Sequence, residues 1–283
     1  MKVGIIPVNI GPESGAQMIQ LAQLAESLGY ESVWTFEHVI VPVDYESKYP
    51  YNASGKMGAP PETNFVDPLI ALSAIAASTS RIRLGTGVNI LSQVNPIYMA
   101  KQAASLDFIS NGRFMLGVGI GWLREEFEAL GVPFERRGAR FDDYVQGMRK
   151  IWSGDVVEHE SDFISWSGFK SYPLPVQNPF PVVMGGVKGK IFERIAKYGD
   201  GWYAPAGDPA EMKAHLDNLR RACDEVGRDM NEIEISCMWP GIGGSDFLGQ
   251  LEEVGVHRAV MPMMGGGDVV ENLHKIAEEV IAA

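Results

Sequence analysis

Short β-rich runs alternate with helix-patterned stretches from one end of this chain to the other, and that alternation limits the possible folds more than any single residue does. Strand candidates fall at residues 3–8, 32–36, 82–88, 114–120, 181–184, 201–203, 234–238 and 259–263. Between and after them, helical periodicity runs through 18–28, 68–78, 98–109, 141–152, 189–198, 209–226, 246–254 and 268–281. Strands separated by helices pair in parallel, because the helix is the crossover that returns the chain to the same edge. About eight such units in 283 residues match a (β/α)₈ TIM barrel, predicted as one domain over 1–283. An open doubly wound sheet is the alternative. The even spacing and the absence of a composition break favour the closed barrel.

Composition narrows the function. A formal net charge of −12 gives the long-range field the wrong sign for nucleic acid or an anionic membrane surface. An anionic ligand must therefore be held locally, by backbone amides or a few placed cations. Cys223 and Cys237 are the only cysteines. With no charged-then-apolar leader, they point to the cytoplasm rather than to a secreted disulfide scaffold. No apolar run approaches the roughly 18 residues of a membrane span. The histidines have no ligand-like spacing, so no metal is expected.

In a barrel of this kind the loops after the strands share one face, where active sites sit. Glu37 and His38 end the second strand on that face. The glycine-bearing runs "GTGVN" (85–89), "GVGIGW" (117–122), "GGVKGK" (185–190) and "GDGWYAP" (199–205) reach it too. Glycines at strand ends allow a flat or phosphorylated ligand to approach the backbone, or they merely make room in a crowded barrel. "GVGIGW" lacks the G-x-G-x-x-G spacing of dinucleotide binding. "GGVKGK" opens a helix and supplies free amides with Lys188 and Lys190, an arrangement that suits a phosphate; a plain βα turn is the alternative. His38 itself reads either as a hydrogen-bonded structural histidine or as an acid/base group. Trp122 stands at the rim, ahead of a charged, amphipathic stretch to Asp143. Two loops, 42–63 and 155–178, are long and aromatic, and both are expected as lids over the carboxyl-end face. The run "MPMMGGG" (261–267) is expected to pack the barrel end and turn.

The motifs "SVWTFEHVIVP", "TSRIRLGTGVNILSQVNP", "AKQAASLDFISNGRFMLGVGIGWLREEFEALGVPFERRG" and "GGVKGKIFERIAKYGDGW" together resemble the luciferase-like monooxygenase family, in its branch of oxidoreductases dependent on the deazaflavin coenzyme F420. The resemblance implies a TIM barrel with an insertion after the fourth helix, here about 155–178. It implies His38 as the acid/base beside the cofactor ring, with Glu37 orienting or charge-tuning it. It also implies a cis peptide between Gly87 and Val88 behind the ring, and a phosphate at the fifth-strand turn. The cofactor-binding set that follows is Gly87, Val88, Asn89, Gly119, Trp122, Gly185, Gly186, Val187, Lys188 and Gly189. Trp122 stands where sugar-phosphate-oxidising relatives carry Glu, which argues against that substrate class.

The expected activity is F420-dependent hydride transfer to or from a small organic substrate, by a homodimer. FMN with two-component monooxygenase chemistry is the alternative, and a non-catalytic flavin-binding protein is a third possibility.

Overall fold

The computed structural model describes residues 1–205, 207–263 and 268–282. In chain order its elements are β1 (Lys2–Ile6), α1 (Gly15–Ser27), β2 (Ser32–Thr35), α2 (Pro68–Ser78), β3 (Arg83–Thr86), β4 (Asn89–Ile90) and α3 (Pro96–Ser110). There follow β5 (Phe114–Gly119), α4 (Arg124–Ala129), α5 (Arg137–Ile151), β6 (Val157–Glu160), β7 (Ser165–Phe169), β8 (Val182–Gly185) and α6 (Ile191–Tyr198). The chain ends with β9 (Gly201–Ala204), α7 (Pro209–Val226), β10 (Glu234–Met238), α8 (Gly244–Glu253), β11 (Arg258–Pro262) and α9 (Val269–Ile276).

The main sheet runs β3-β2-β1-β11-β10-β9-β8-β5-β4, and β3 also pairs with β5, so the sheet closes on itself. All of these pairings are parallel. Strands β3 and β4 are two segments of one stave, interrupted at Gly87 and Val88, whose joining peptide is cis as expected. The closed barrel, rather than an open sheet, is the observed fold.

Helix starts follow from local chemistry. Asp67, Asn95 and Asp208 each cap a helix by accepting two backbone N–H groups, and each precedes a proline at the first helical position. Proline there gives up no hydrogen bond, and its fixed φ suits the helix. Helix α3 accordingly begins at Pro96, ahead of the periodicity that marks it in sequence.

Two apolar regions hold the barrel together. The larger lies between strands and helices. The smaller fills the barrel interior with Ile6, Trp34, Met115, Val183, Tyr203 and Val260 from β1, β2, β5, β8, β9 and β11. Trp34 and Tyr203 stack with centroids 5.4 Å apart. The Trp34 indole also lies over Gly85, where a Cβ would come within 2.4 Å of it. At the amino-end of the barrel the fully buried Arg258 donates to both Glu31 oxygens at 2.7 Å and to Glu234 at 2.6 Å. These groups close the floor opposite the functional face.

The insertion at 155–178 follows the fourth barrel helix, α5, but it is not a lid. It forms the antiparallel hairpin β6–β7 on the outer side of α5. His159 Nε2 and Ser161 Oγ meet Asp143 at 2.9 and 2.8 Å, and Arg136 pairs with Asp162 at 2.7 Å. The segment then returns over α3, where Gln177 donates to Asp107 at 2.7 Å and to the Phe114 carbonyl at 2.6 Å. The reason is directional: α5 carries the chain back to the amino-end of the barrel, so the insertion starts on the far face and climbs the outside. Trp166 lies over Gly147 of α5 and stacks on His159 of β6, centroids 4.7 Å apart. Of the run 261–267, Met261 is buried. Residues 264–267 lie outside the described residues. Among the described residues no helix is long and apolar enough to cross a membrane.

Candidate active site

A cavity of about 450 Å³ opens at the carboxyl ends of the strands. Its volume falls within the range of small-molecule and cofactor sites. His38 lines it just beyond β2, as expected from sequence. The strand end is fixed by Asn9, whose amide donates to the carbonyls of Phe36 (2.9 Å) and Val66 (2.7 Å) and accepts from Phe36 N–H (3.0 Å).

The partner of His38 is not Glu37. His38 Nδ1 lies 2.9 Å from Glu126 Oε2, and Glu126 Oε1 accepts from the N–H groups of Val39 (2.6 Å) and Ile40 (3.4 Å). Glu37, expected to orient or tune His38, lines the cavity but directs its carboxyl at the Ile90 N–H and the Asn89 side chain. Glu37 and His38 follow the end of β2, line the same cavity and take different partners. Burial pushes the Glu37 carboxyl up to about 7, against the hydrogen bonds from Ile90 and Asn89 and with help from the charges of Glu126 and Asp67. Glu126 carries no local sequence signal, since it sits 88 residues from His38 in a stretch that reads as a solvated helix.

Aromatic side chains surround His38. Phe65 and Trp122 each meet it edge-on with centroids 5.8 Å apart, and Tyr49 meets Trp122 at 5.2 Å. Tyr49 belongs to the 42–63 loop, as do Lys48, Pro50 and Tyr51, and all four line the cavity. This loop covers the site as expected, in contrast to 155–178.

Val88 and Gly87 line the cavity behind His38, with Gly119, Gly185 and Gly186 around them. Two of these glycines also make room for Val88. A Cβ on Gly119 would sit 2.6 Å from Val88 Cγ2, and one on Gly185 would sit 2.7 Å from Val88 Cγ1. They form a socket that holds the valine. Gly186 adopts φ 121°, which side-chain-bearing residues avoid. Val187 and Lys188 also face the cavity. Asn89 and Gly189, both expected at the cofactor, do not line it. Asn89 is buried behind the wall on Glu37, and Gly189 lies past the cavity edge at a left-handed turn with open space around it. Helix α6 then starts at Ile191 with no side-chain cap.

Four cations line the cavity: Lys48, Arg137, Lys188 and Arg194. Arg194 is paired with Asp142 at 2.5 Å, whereas Lys48, Arg137 and Lys188 have no ion pair among the described residues. Sequence reading found only Lys188. Among the described residues no cluster of His, Cys, Asp and Glu could hold a metal.

A family model for luciferase-like monooxygenases matches residues 5–244. The chain belongs to the luciferase-like monooxygenase family. It is an oxidoreductase-type member by that assignment. An uncharacterized protein of Mycobacterium tuberculosis is 35% identical over 263 residues, covering 92% of each chain. The FMNH(2)-dependent dimethylsulfone monooxygenase of Pseudomonas fluorescens is 29% identical over 206 residues, 71% of this chain and 51% of that one. Among solved structures, the coenzyme F420 dependent tetrahydromethanopterin reductase of Methanopyrus kandleri superposes with a TM-score of 0.79 at 17% identity, over 99% of this chain and 98% of the other. At that identity the luciferase-like family member shares a fold with the reductase.

Proposed function

We propose that this family member binds coenzyme F420 in the carboxyl-end cavity and transfers hydride to or from a small organic substrate, with His38 moving the accompanying proton. The observation that carries the reading is that one cavity holds both His38 and a wall suited to an anionic cofactor. That wall is the Gly185, Gly186, Val187 and Lys188 turn, leading to the uncapped start of α6. Free N–H groups at a helix start favour a phosphate. In an acidic chain, three cations without ion pairs lining one cavity also suit an anion.

Bound there, a deazaflavin supplies a hydride donor or acceptor and lacks the ring nitrogen that supports oxygen chemistry in flavins. Lys188, Arg137 and the amides of Val187 and Lys188 would hold its phosphate, and Val88 would support its ring. Trp122, Tyr49 and Phe65 exclude water around the reacting atoms, which strengthens every electrostatic interaction inside. His38, set among them, would donate or remove the proton that balances the hydride.

FMN is the second reading, favoured by the 29% identity to an FMNH(2)-dependent enzyme. Titration of the purified protein with F420 and with FMN, followed by quenching of cofactor fluorescence, tests both. Quenching of F420 alone supports the proposal. Quenching of FMN alone, with oxygen consumed in the presence of its reduced form, replaces it with the monooxygenase reading, and no quenching by either rejects both.

A further inference from the structure

We propose that Glu126 is the positioning residue of the site, holding His38 as its Nδ1–H tautomer so that Nε2 is the nitrogen that exchanges protons in the cavity. The catalytic half of this inference rests on the reading of His38 given above; the tautomer half does not.

A carboxylate only accepts hydrogen bonds. Glu126 Oε1 is taken by two main-chain donors, Val39 N–H at 2.6 Å and Ile40 N–H at 3.4 Å, which cannot be anything but donors. Oε2 is left facing His38 Nδ1 at 2.9 Å. With Oε2 accepting, the neutral imidazole must carry its proton on Nδ1, and Nε2 is left with its lone pair exposed. No hydrogen bond to Nε2 is present among the described residues. Phe65 and Trp122 flank the ring edge-on and hold its plane. The pair is secluded, the two side chains being 9% and 2% exposed, so water does not compete for the contact.

The same helix fastens the covering loop. Arg124 N–H donates to Ser47 Oγ at 3.1 Å, and Glu125 Oε1 accepts from the N–H groups of Glu46 (2.7 Å) and Ser47 (3.2 Å). Three consecutive residues thus anchor the imidazole and both ends of the segment 39–47. The histidine and the loop that shields it share one support.

Glu126→Gln distinguishes positioning from mere packing, because an amide is nearly isosteric but has one acceptor and one donor end. The two main-chain donors claim its oxygen, so its NH₂ faces Nδ1 and forces that nitrogen to accept. The imidazole then has to carry its proton on Nε2. Tautomers are read from ¹⁵N spectra of protein labelled at histidine, without cofactor, at about pH 8.5, roughly two units above the ordinary histidine value. The His38 signals are assigned by their loss in His38→Gln. The expected result is Nδ1–H in the wild type and Nε2–H in Glu126→Gln. In the holoenzyme the variant should keep cofactor affinity while kcat falls by about 10²- to 10⁴-fold, the range for lost acid/base assistance. An Nε2–H wild type overturns the proposal even if the variant fails to fold. A variant that keeps Nδ1–H overturns it as well. Confirmed tautomers with unchanged kcat would leave the positioning intact and reject the catalytic role of His38.

Discussion

Glu37 offers a stability measurement that needs no substrate. Its carboxyl is buried and pushed up to about 7, from an ordinary value of 4.5. The native state therefore keeps a proton that the unfolded chain releases, and stability falls wherever the native state binds more protons. The contribution is complete below about 4.5 and is lost as the pH rises through about 7. The full rise corresponds to about 3 kcal/mol. Between about pH 5 and about pH 8 the loss is about 2.5 kcal/mol, because the unfolded carboxyl is already largely ionised at the acid end and part of the loss lies below it. Glu37→Gln removes the titration while keeping an oxygen for the Ile90 N–H. Its NH₂ can meet Asn89 Oδ1, a buried atom without a partner, once that amide turns over. Urea unfolding of both proteins at the two pH values isolates the residue, because every other titrating group cancels. The variant should gain about 2.5 kcal/mol on the wild type from acid to alkaline conditions. A stability difference that stays constant across that range refutes the argument and means that Glu37 is ionised in the native protein.

Three further outcomes are expected. His38→Ala should retain fluorescence-measured cofactor affinity and lose about 10² to 10⁴ in kcat, whereas a purely structural histidine would lower the melting temperature and leave kcat intact. Gly186→Ala, forced into φ near 121°, should weaken cofactor affinity by about tenfold or more, equivalent to about 1.4 kcal/mol, and Lys188→Ala should weaken it mildly and only at low salt. Arg258→Met strands Glu31 and Glu234 without their cation; burial alone would raise Glu234, but Arg258 and Lys2 hold it down to about 2. The loss in urea-measured stability should be near the lower end of about 3 to 5 kcal/mol, because both carboxylates keep some contact with water.

The barrel was legible because its signal is periodic and local. Every expected barrel strand and its following helix overlaps an observed one, and caps such as Asn95 shifted only their starts. The hairpin β6–β7 was not legible, being two short runs: β6 alternates over only four residues with a histidine at one buried position, and β7 has no fully buried residue. The site divided in the same way. His38, Val88, Trp122 and Lys188 could be placed by their position after strands. The pairing of His38 with Glu126 could not, since a contact across 88 residues depends on where α4 lands once the barrel has closed. The glycines carried an ambiguity between ligand access and packing. Gly119 and Gly185 both line the cavity and make room for Val88, whereas Gly186 is set apart by its positive φ.

That socket also shapes how the chain can change over time. Alanine at 119 or at 185 collides with a different methyl of the same valine, so neither step is open while Val88 remains. Shrinking position 88 first would open both routes. Mutations at these three places, on three separate staves, therefore acquire a required order. A lineage that loses the valine's bulk is free to fill the glycines, after which the valine cannot easily return.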